Sequence, residues 1–339
     1  MSSALIVGNQ GQDGRLLEQS LLKAGYDVVG ISRNQTTSSA LHQYQNHAGQ
    51  HSRLDPINIE NFDAVSTCIQ TFRPDQVYFL AAYHHSSEEQ AQSEIELWQK
   101  SQSIHFLALV NFLEAIRLES PKTRLFYAAS SHVFGAPSET PQTETTCMAP
   151  LTAYGVTKLA GMNCCHYYRV QHRIFASCGI LYTHESEFRS PRFLAKKIIQ
   201  SAVAIHKNQL DSLTIGNLHA EVDWGAARDY VEAYRKILEH ETPDHFIVAT
   251  GINRTVQDFV QTTFDYLDLD WKKYVKVNPQ LLNRTLPTLR GDPSKLKKLT
   301  GWTIQESFEN MIRKMLDFEL REPQKKDNAK EGGKIEQSN

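Results

Sequence analysis

The sequence predicts an α/β fold: a doubly wound parallel sheet carrying a smaller C-terminal α/β lobe. Three observations predict it. The chain opens on ALIVGNQGQDG, a short apolar run followed by glycines at positions 8, 11 and 14. Short apolar runs then alternate with helix-period stretches as far as residue 182. At 339 residues the chain is also long enough for a large doubly wound domain plus an appended lobe.

Residues 4–7 (ALIV) form a short continuous apolar run, as a strand buried on both faces should. Leu16, Leu17, Leu21 and Leu22 recur at helical spacing, and DVVGI (27–31) is the second strand. DQVYFLAA (75–82) and TRLFYAAS (123–130) read as further buried strands, with a helix over 104–119 between them. IFASCGILY (174–182) supplies another strand. Beyond residue 183 the rhythm loosens. SPRFLAKKIIQSAVAIHK (190–207) and TVQDFVQTTFDYL (255–267) read as helices, DSLTIGN (211–217) and DHFIVATG (244–251) as strands. The division expected is 1–182 mainly for one ligand and 183–322 mainly for a second, with segments interleaved. The polar stretch 323–339, whose one large aliphatic residue is Ile335, is expected to be a disordered tail.

Composition narrows the function classes. A net charge of −2 gives no bulk electrostatic argument for nucleic acid or an anionic membrane. The start MSSALIVGNQGQDG has no basic n-region or long apolar core, so no signal peptide is expected. No window approaches the roughly 18–20 apolar residues that span a bilayer. Five cysteines without Cys-x-x-Cys spacing point to reduced thiols in a cytoplasmic protein. His84 and His85 are adjacent and would point to opposite faces of a strand, a poor chelate, so no metal is expected.

The glycine run follows a strand and precedes a helix, which is the context a dinucleotide turn requires. Gly8 permits the tight turn, Gly11 lets backbone approach a pyrophosphate at the helix N-terminus, and Gly14 allows close helix–strand packing. The second strand ends GISRNQ, with Arg33 and no acid, which favours NADP over NAD. Asp55, after an apparent third strand, is a candidate for the adenine edge.

AYGVTK (153–158) holds a Tyr-x-x-x-Lys pair, Tyr154 and Lys158. A tyrosine has an ordinary pKa near 10. A lysine one helical turn away is expected to lower it and to hold the nicotinamide ribose. Tyr154 then takes a hydroxyl proton while hydride leaves the same carbon, and Ser130 bonds the developing carbonyl oxygen.

These residues resemble the extended short-chain dehydrogenase/reductases, a Rossmann-type fold, and within them the GDP-mannose 4,6-dehydratase family. The likeness runs from Ala4 to about Leu320. GNQGQDG looks like the family's TGxxGQDG opening, and GILYTHESEFR (179–189) is similar to GILFNHESPRR. IGNLHAEVDWGAARDYVEA (215–233) is similar to GNLDAKRDWGHAKDYVEA, and GDPSKLKKLTGW (291–302) to the C-terminal signature. The resemblance implies an NADP-dependent enzyme that oxidises a hexose at carbon-4, eliminates water across carbons 5 and 6, and returns hydride to carbon-6. It implies cofactor contacts at Gly8, Gln10, Gly11, Asp13 and Gly14, and at Ala81, Ala82, His184 and Arg189. Substrate contacts are implied at His84, His85, Thr183, Lys197, Asn217 and Arg284. A homodimer or homotetramer, pairing through helices beside the Tyr-x-x-x-Lys segment, is implied too.

The departures lie mostly in the pocket. The family's catalytic glutamate is replaced by His132, and the asparagine of its FNHES string by Thr183. Its Lys-Arg pair is replaced by Glu221 and Val222, and its asparagine in a V-N-x-x-G helix by His105, which reads as a packing residue or helix–strand tie. Three outcomes stay open for His132. In the first it serves as the base, since a neutral imidazole is competent near pH 7. In the second elimination is lost, leaving a carbon-4 epimerase, dehydrogenase or reductase. In the third the chain is a non-catalytic nucleotide-binding paralogue.

Overall fold

The computed structural model describes residues 2–32, 57–83, 93–282 and 287–321. Arg33, Asp55, His84, His85, Arg284 and the 323–339 segment lie outside the described residues.

β1 (Ser3–Val7) and β2 (Asp27–Ile31) run parallel and are joined by α1 (Gln12–Lys23). α2 (Phe62–Phe72) leads to β3 (Gln76–Phe79), which pairs with the other side of β1. α3 (Glu94–Gln102), one π turn over Ser103–Leu107 and α4 (Ala108–Glu119) lead to β4 (Arg124–Ala128). A four-residue 3-10 turn (Ser131–Phe134) and α5 (Ala153–His172) lead to β5 (Ala176–Leu181). The chain then leaves the sheet for β6 (Thr183–Glu185), α6 (Leu194–His206), β7 (Leu213–Ile215) and β8 (Glu221–Ala226). It returns with α7 (Ala227–Glu239) and β9 (His245–Val248), which pairs with β5. β10 (Asn253–Thr255), α8 (Val256–Asp265), α9 (Trp271–Tyr274), β11 (Val275–Val277), α10 (Ser294–Thr300) and α11 (Phe308–Arg321) follow.

The central sheet has the order β2-β1-β3-β4-β5-β9, all parallel. Strand order reverses between β1 and β3, and in open α/β sheets the crevice beyond the strand C-termini at that point takes the ligand. The predicted α/β class is therefore the observed one. Successive residues of a strand face opposite sides of the sheet, so β3 sends Tyr78 into one core and Phe79 into the other. Phe79 meets Phe112 edge-on at 5.6 Å on one side, and on the other Phe126 stacks on Tyr234 at 4.5 Å. A third core, under the later lobe, gathers α6, α8 and α11 around Trp224 and Phe259. α8 starts on a capping box in which the Thr255 and Asp258 side chains satisfy each other's backbone N–H groups.

Three features differ from the sequence reading. DHFIVATG completes the main sheet as β9 instead of belonging to the later lobe. The helix expected over 104–119 starts inside the π turn and becomes regular only at Ala108. β6 and β10, three residues each, flank β8 in a small sheet; neither is long enough to display a period of two.

Candidate active site

The glycine turn is built as its sequence requires. Gly8 has φ +98°, a left-handed conformation that other residues rarely adopt, and its amide donates to Ile31 O at 2.8 Å. A side chain at Gly14 would begin 2.4 Å from the Gly8 carbonyl oxygen. Gly11 is the N-cap of α1 and brings no side-chain cap to it. The first-turn N–H groups are thus left for an anionic ligand. Buried in the same turn, Asn9 Oδ1 has no hydrogen-bond partner among the described residues. These features fit a dinucleotide.

The turn opens into a cleft of about 1210 Å³, walled by Gly8, Gln10, Gly11, Asp13, Ala81 and Ala82 at one end. Ser130, His132, Tyr154, Lys158, His184 and Arg189 wall the remainder. A smaller cleft of about 340 Å³ meets it at His132, Thr183, Arg189 and Phe193 and runs on to Asn217, Glu221 and Val222. Lys197 belongs to neither wall; one turn earlier, Arg192 and Phe193 line both clefts.

Asp13 faces the cleft with its carboxylate already engaged. It accepts from His184 Nε2 at 2.9 Å, from the Tyr234 hydroxyl at 2.9 Å and from Gln12 Nε2 at 3.2 Å. Burial alone would raise its pKa, but the His184 charge and these donors win and hold it down at about 2. His184 Nδ1 lies 2.7 Å from Tyr182 O. Both ring nitrogens face acceptors, so the ring carries two protons. Burial disfavours that charge, yet Asp13 outweighs burial and the His184 pKa is raised. The ring also stacks on Tyr230 at 4.4 Å. This pair ties α1 to β6 and α7.

Tyr154 and Lys158 sit on the first turns of α5, which Thr152 caps by accepting the Gly155 N–H at 3.0 Å. Tyr154 is half-buried and its phenol hydrogen-bonds Ser130. The expectation that Lys158 lowers the phenol is corrected here. Burial pushes Tyr154 up to about 12, against the Ser130 hydrogen bond and the Arg189 charge, which pull it back. Lys158 is itself buried and is drawn down to about 7 by desolvation. Its Nζ donates to Ala128 O at 2.6 Å and lies 5.7 Å from the Tyr154 ring centre. Burial disfavours the charged form of Lys158, and an anion that restores that charge would bring back its lowering effect on the nearby phenol.

His132 projects from the 3-10 turn, edge-on to Tyr154 with ring centres 5.6 Å apart. Its backbone N–H donates to Ser130 Oγ at 3.3 Å. His105 also stands edge-on to Tyr154, at 5.0 Å, so the phenol ring meets two imidazoles. The sequence reading passed over Glu185, a buried carboxylate in the smaller cleft. Burial raises its pKa against the neighbouring Arg189, whose Nε lies 2.9 Å away as an ion pair off hydrogen-bond alignment. Arg189 also lies over the Phe193 ring at 3.7 Å. An acid four residues before an arginine was the available signal. All five cysteines are free thiols, three of them buried. No helix of the described residues is long and apolar enough to cross a membrane.

Comparison with known proteins agrees with this geometry. A model of the GDP-mannose 4,6 dehydratase family matches residues 5–315. GDP-mannose 4,6 dehydratase 2 of Arabidopsis thaliana is 35% identical over 332 residues, covering 94% of this chain and 86% of that protein. Among solved structures, a putative epimerase from Burkholderia cenocepacia superposes with a TM-score of 0.79 at 21% identity, over 94% of this chain and 98% of that one. RMD from Pseudomonas aeruginosa, complexed with NADPH, gives 0.78 at 17% identity, over 94% and 99%. The two structures share the fold. The family match and the 35% relative carry more: this chain belongs to the GDP-mannose 4,6-dehydratase family of enzymes.

Proposed function

We propose that the protein is an NADP-dependent nucleotide-sugar enzyme of the 4,6-dehydratase type, acting on a GDP-hexose such as GDP-mannose. The observation that carries the reading is the Tyr154 phenol, bonded to Ser130 in the wall of a dinucleotide-sized cleft whose far end is the glycine turn. Residues 1–182 mainly serve the cofactor and 183–322 mainly the nucleotide sugar. The choice of NADP is supported by Arg33 in the sequence, where no acid stands. The guanosine end is assigned to the smaller cleft, along Asn217 and Val222.

Held by the α1 N-terminus, Ala81, Ala82 and Lys158, the cofactor supplies hydride acceptance at carbon-4 and hydride return at carbon-6. With the charge of Lys158 restored when the cofactor is bound, the Tyr154 phenol loses its own proton to solvent. The phenolate then takes the proton of the carbon-4 hydroxyl while Ser130 bonds the oxygen as it becomes a carbonyl. The ketone acidifies carbon-5, whose proton passes to the His132 imidazole and from the resulting imidazolium to the departing carbon-6 hydroxyl, which leaves as water. When hydride returns to carbon-6, the proton held on Tyr154 since the oxidation step returns to carbon-5. The chain is proposed to act in the cytoplasm as a homodimer or homotetramer. Exposed Ile95 and Trp98 on α3, Leu107, and Val156, Tyr167 and Val170 on α5 support pairing through those helices.

His132 itself favours a second reading, carbon-4 redox chemistry without elimination. Incubation with GDP-, UDP-, dTDP- and CDP-hexoses and mass analysis of the product separates the two. Loss of one water supports the dehydratase; an unchanged mass means epimerisation, and loss of two hydrogens means dehydrogenation. Tight binding without turnover of any of them would overturn the enzymatic reading.

A further inference from the structure

Between α3 and α4 the backbone takes one π turn, and its middle residue, His105, is fully buried at 0% exposure. Such turns inside helices persist mainly where they place a side chain for use. Here the turn sets an imidazole between two parts of the cleft wall. Nε2 receives the backbone N–H of Tyr83 at 2.8 Å, and Nδ1 lies 2.8 Å from Thr157 Oγ1. A backbone N–H only donates, so Nε2 carries no proton. The ring proton is therefore on Nδ1 and is given to Thr157, whose own hydroxyl donates on to Ala153 O at 2.9 Å.

Both ends of this chain of bonds reach the site. Tyr83 follows Ala81 and Ala82 in the cofactor wall, where Ala81 N lies 3.0 Å from the place a Gly8 side chain would begin. Thr157 sits between Tyr154 and Lys158 on α5, and the His105 ring meets the Tyr154 ring at 87°. The geometry points to His105 as a positioning residue. It locks the Ala81–Tyr83 wall to the Tyr154–Lys158 turn, and it does so only as the neutral imidazole protonated on Nδ1.

A second proton, on Nε2, would set N–H against N–H at Tyr83 and bury a charge away from water. The lock therefore opens in acid. Among the described residues, the titratable groups around it include Tyr154 and Lys158 from α5, and Tyr127 of β4, whose hydroxyl donates to His105 O at 3.0 Å. Tyr83 stands beyond β3 with Lys100 of α3 over its ring, His132 meets the Tyr154 ring edge-on, and α4 begins there with Ala108 and Leu109. The cations among these add to the cost of a second charge.

The inference rests on the reading of Tyr154 and Lys158 as the hydride-transfer pair, but its first test does not. In protein labelled with 15N-histidine, long-range proton–nitrogen correlation at neutral pH should show His105 with Nδ1 protonated and Nε2 bare. The opposite tautomer overturns the proposal, whatever reaction the enzyme performs. The second test pairs His105→Leu, which can neither donate nor accept, with His105→Asn, which does both without titrating. With folding checked by circular dichroism, the Leu variant should weaken NADPH affinity and lower kcat roughly tenfold each, from the orphaned Tyr83 N–H. The Asn variant should restore both, and the acid limb of its kcat/KM profile should move to lower pH. A Leu variant equal to the wild type, or an Asn variant that keeps the wild-type acid limb, sinks it. Should the variants not fold, the tautomer measurement decides.

Discussion

The His132 and Tyr154 rings stand edge-on, 80° apart with centres 5.6 Å from one another, and both line the larger cleft. A substrate hydroxyl placed on the phenol therefore has its neighbouring carbons within the reach of the imidazole. That spacing gives the two groups separable roles, and variants can separate them.

Tyr154→Phe removes the proton acceptor while leaving the ring packing in place. Hydride transfer should fall by roughly 10³-fold or more, with nucleotide-sugar affinity retained. Single-turnover absorbance of the reduced cofactor, read beside calorimetric sugar binding, checks both. Undiminished turnover would remove Tyr154 from the mechanism.

His132→Gln keeps the polar contacts and removes the base. Exchange of the carbon-5 proton with solvent deuterium should drop roughly 10²–10⁴-fold while carbon-4 oxidation persists. Equal loss of both steps would mean that His132 positions Tyr154 and is not the base.

Lys158, drawn down to about 7 from an ordinary 10.5, is mostly neutral at about pH 8. An anionic dinucleotide against it favours the charged form, so binding should take up a proton. Calorimetry in buffers of different ionisation enthalpy reads that uptake directly, and Lys158→Met should abolish it. Identical heats in every buffer would contradict the expectation.

The Asp13–His184 pair makes stability depend on pH from both sides. Asp13's share is fully present above its ordinary 3.8 and is lost as pH falls through about 2. His184's share is fully present below its ordinary 6.5 and is lost as pH rises through its raised folded value. His184→Gln should therefore cost about 1–3 kcal/mol at about pH 5 and progressively less toward alkaline pH. Melting temperatures of both proteins across that range test it; a constant gap would be the wrong result.

Gly14→Ala places a methyl group 2.4 Å from the Gly8 carbonyl and 2.5 Å from Asn9 Cα, both backbone atoms that cannot swing aside. A loss of about 1–3 kcal/mol of stability, with weaker cofactor binding, is expected from thermal melts and titration.

Much of the site was legible because its parts are local. Tyr154 and Lys158 are one helical turn apart, Ser130 lies two residues beyond β4, and the glycines recur every third residue, so each spacing carries its geometry with it. His184 and Asp13 are 171 residues apart, and no local pattern announces a bond between them. The phenol's acidity was misjudged for a related reason: the pairing was visible, but the burial of Lys158 and its bond to Ala128 O belong to tertiary packing. For the fold, strands β1 to β5 declared themselves as short apolar runs alternating with helical stretches. β6 and β10 were too short to do so, and β9 looked like any late strand until its neighbour was known.

That neighbour is β5, more than sixty residues earlier in the chain, with all of β6 to β8 between them. During synthesis the ribosome must deliver residue 248 before the sixth strand can dock. Until then β5 presents an open edge of the kind that invites pairing with other chains. Fragments that stop at the apparent end of the first domain, near residue 182, would keep that edge permanently and should aggregate instead of binding nucleotide.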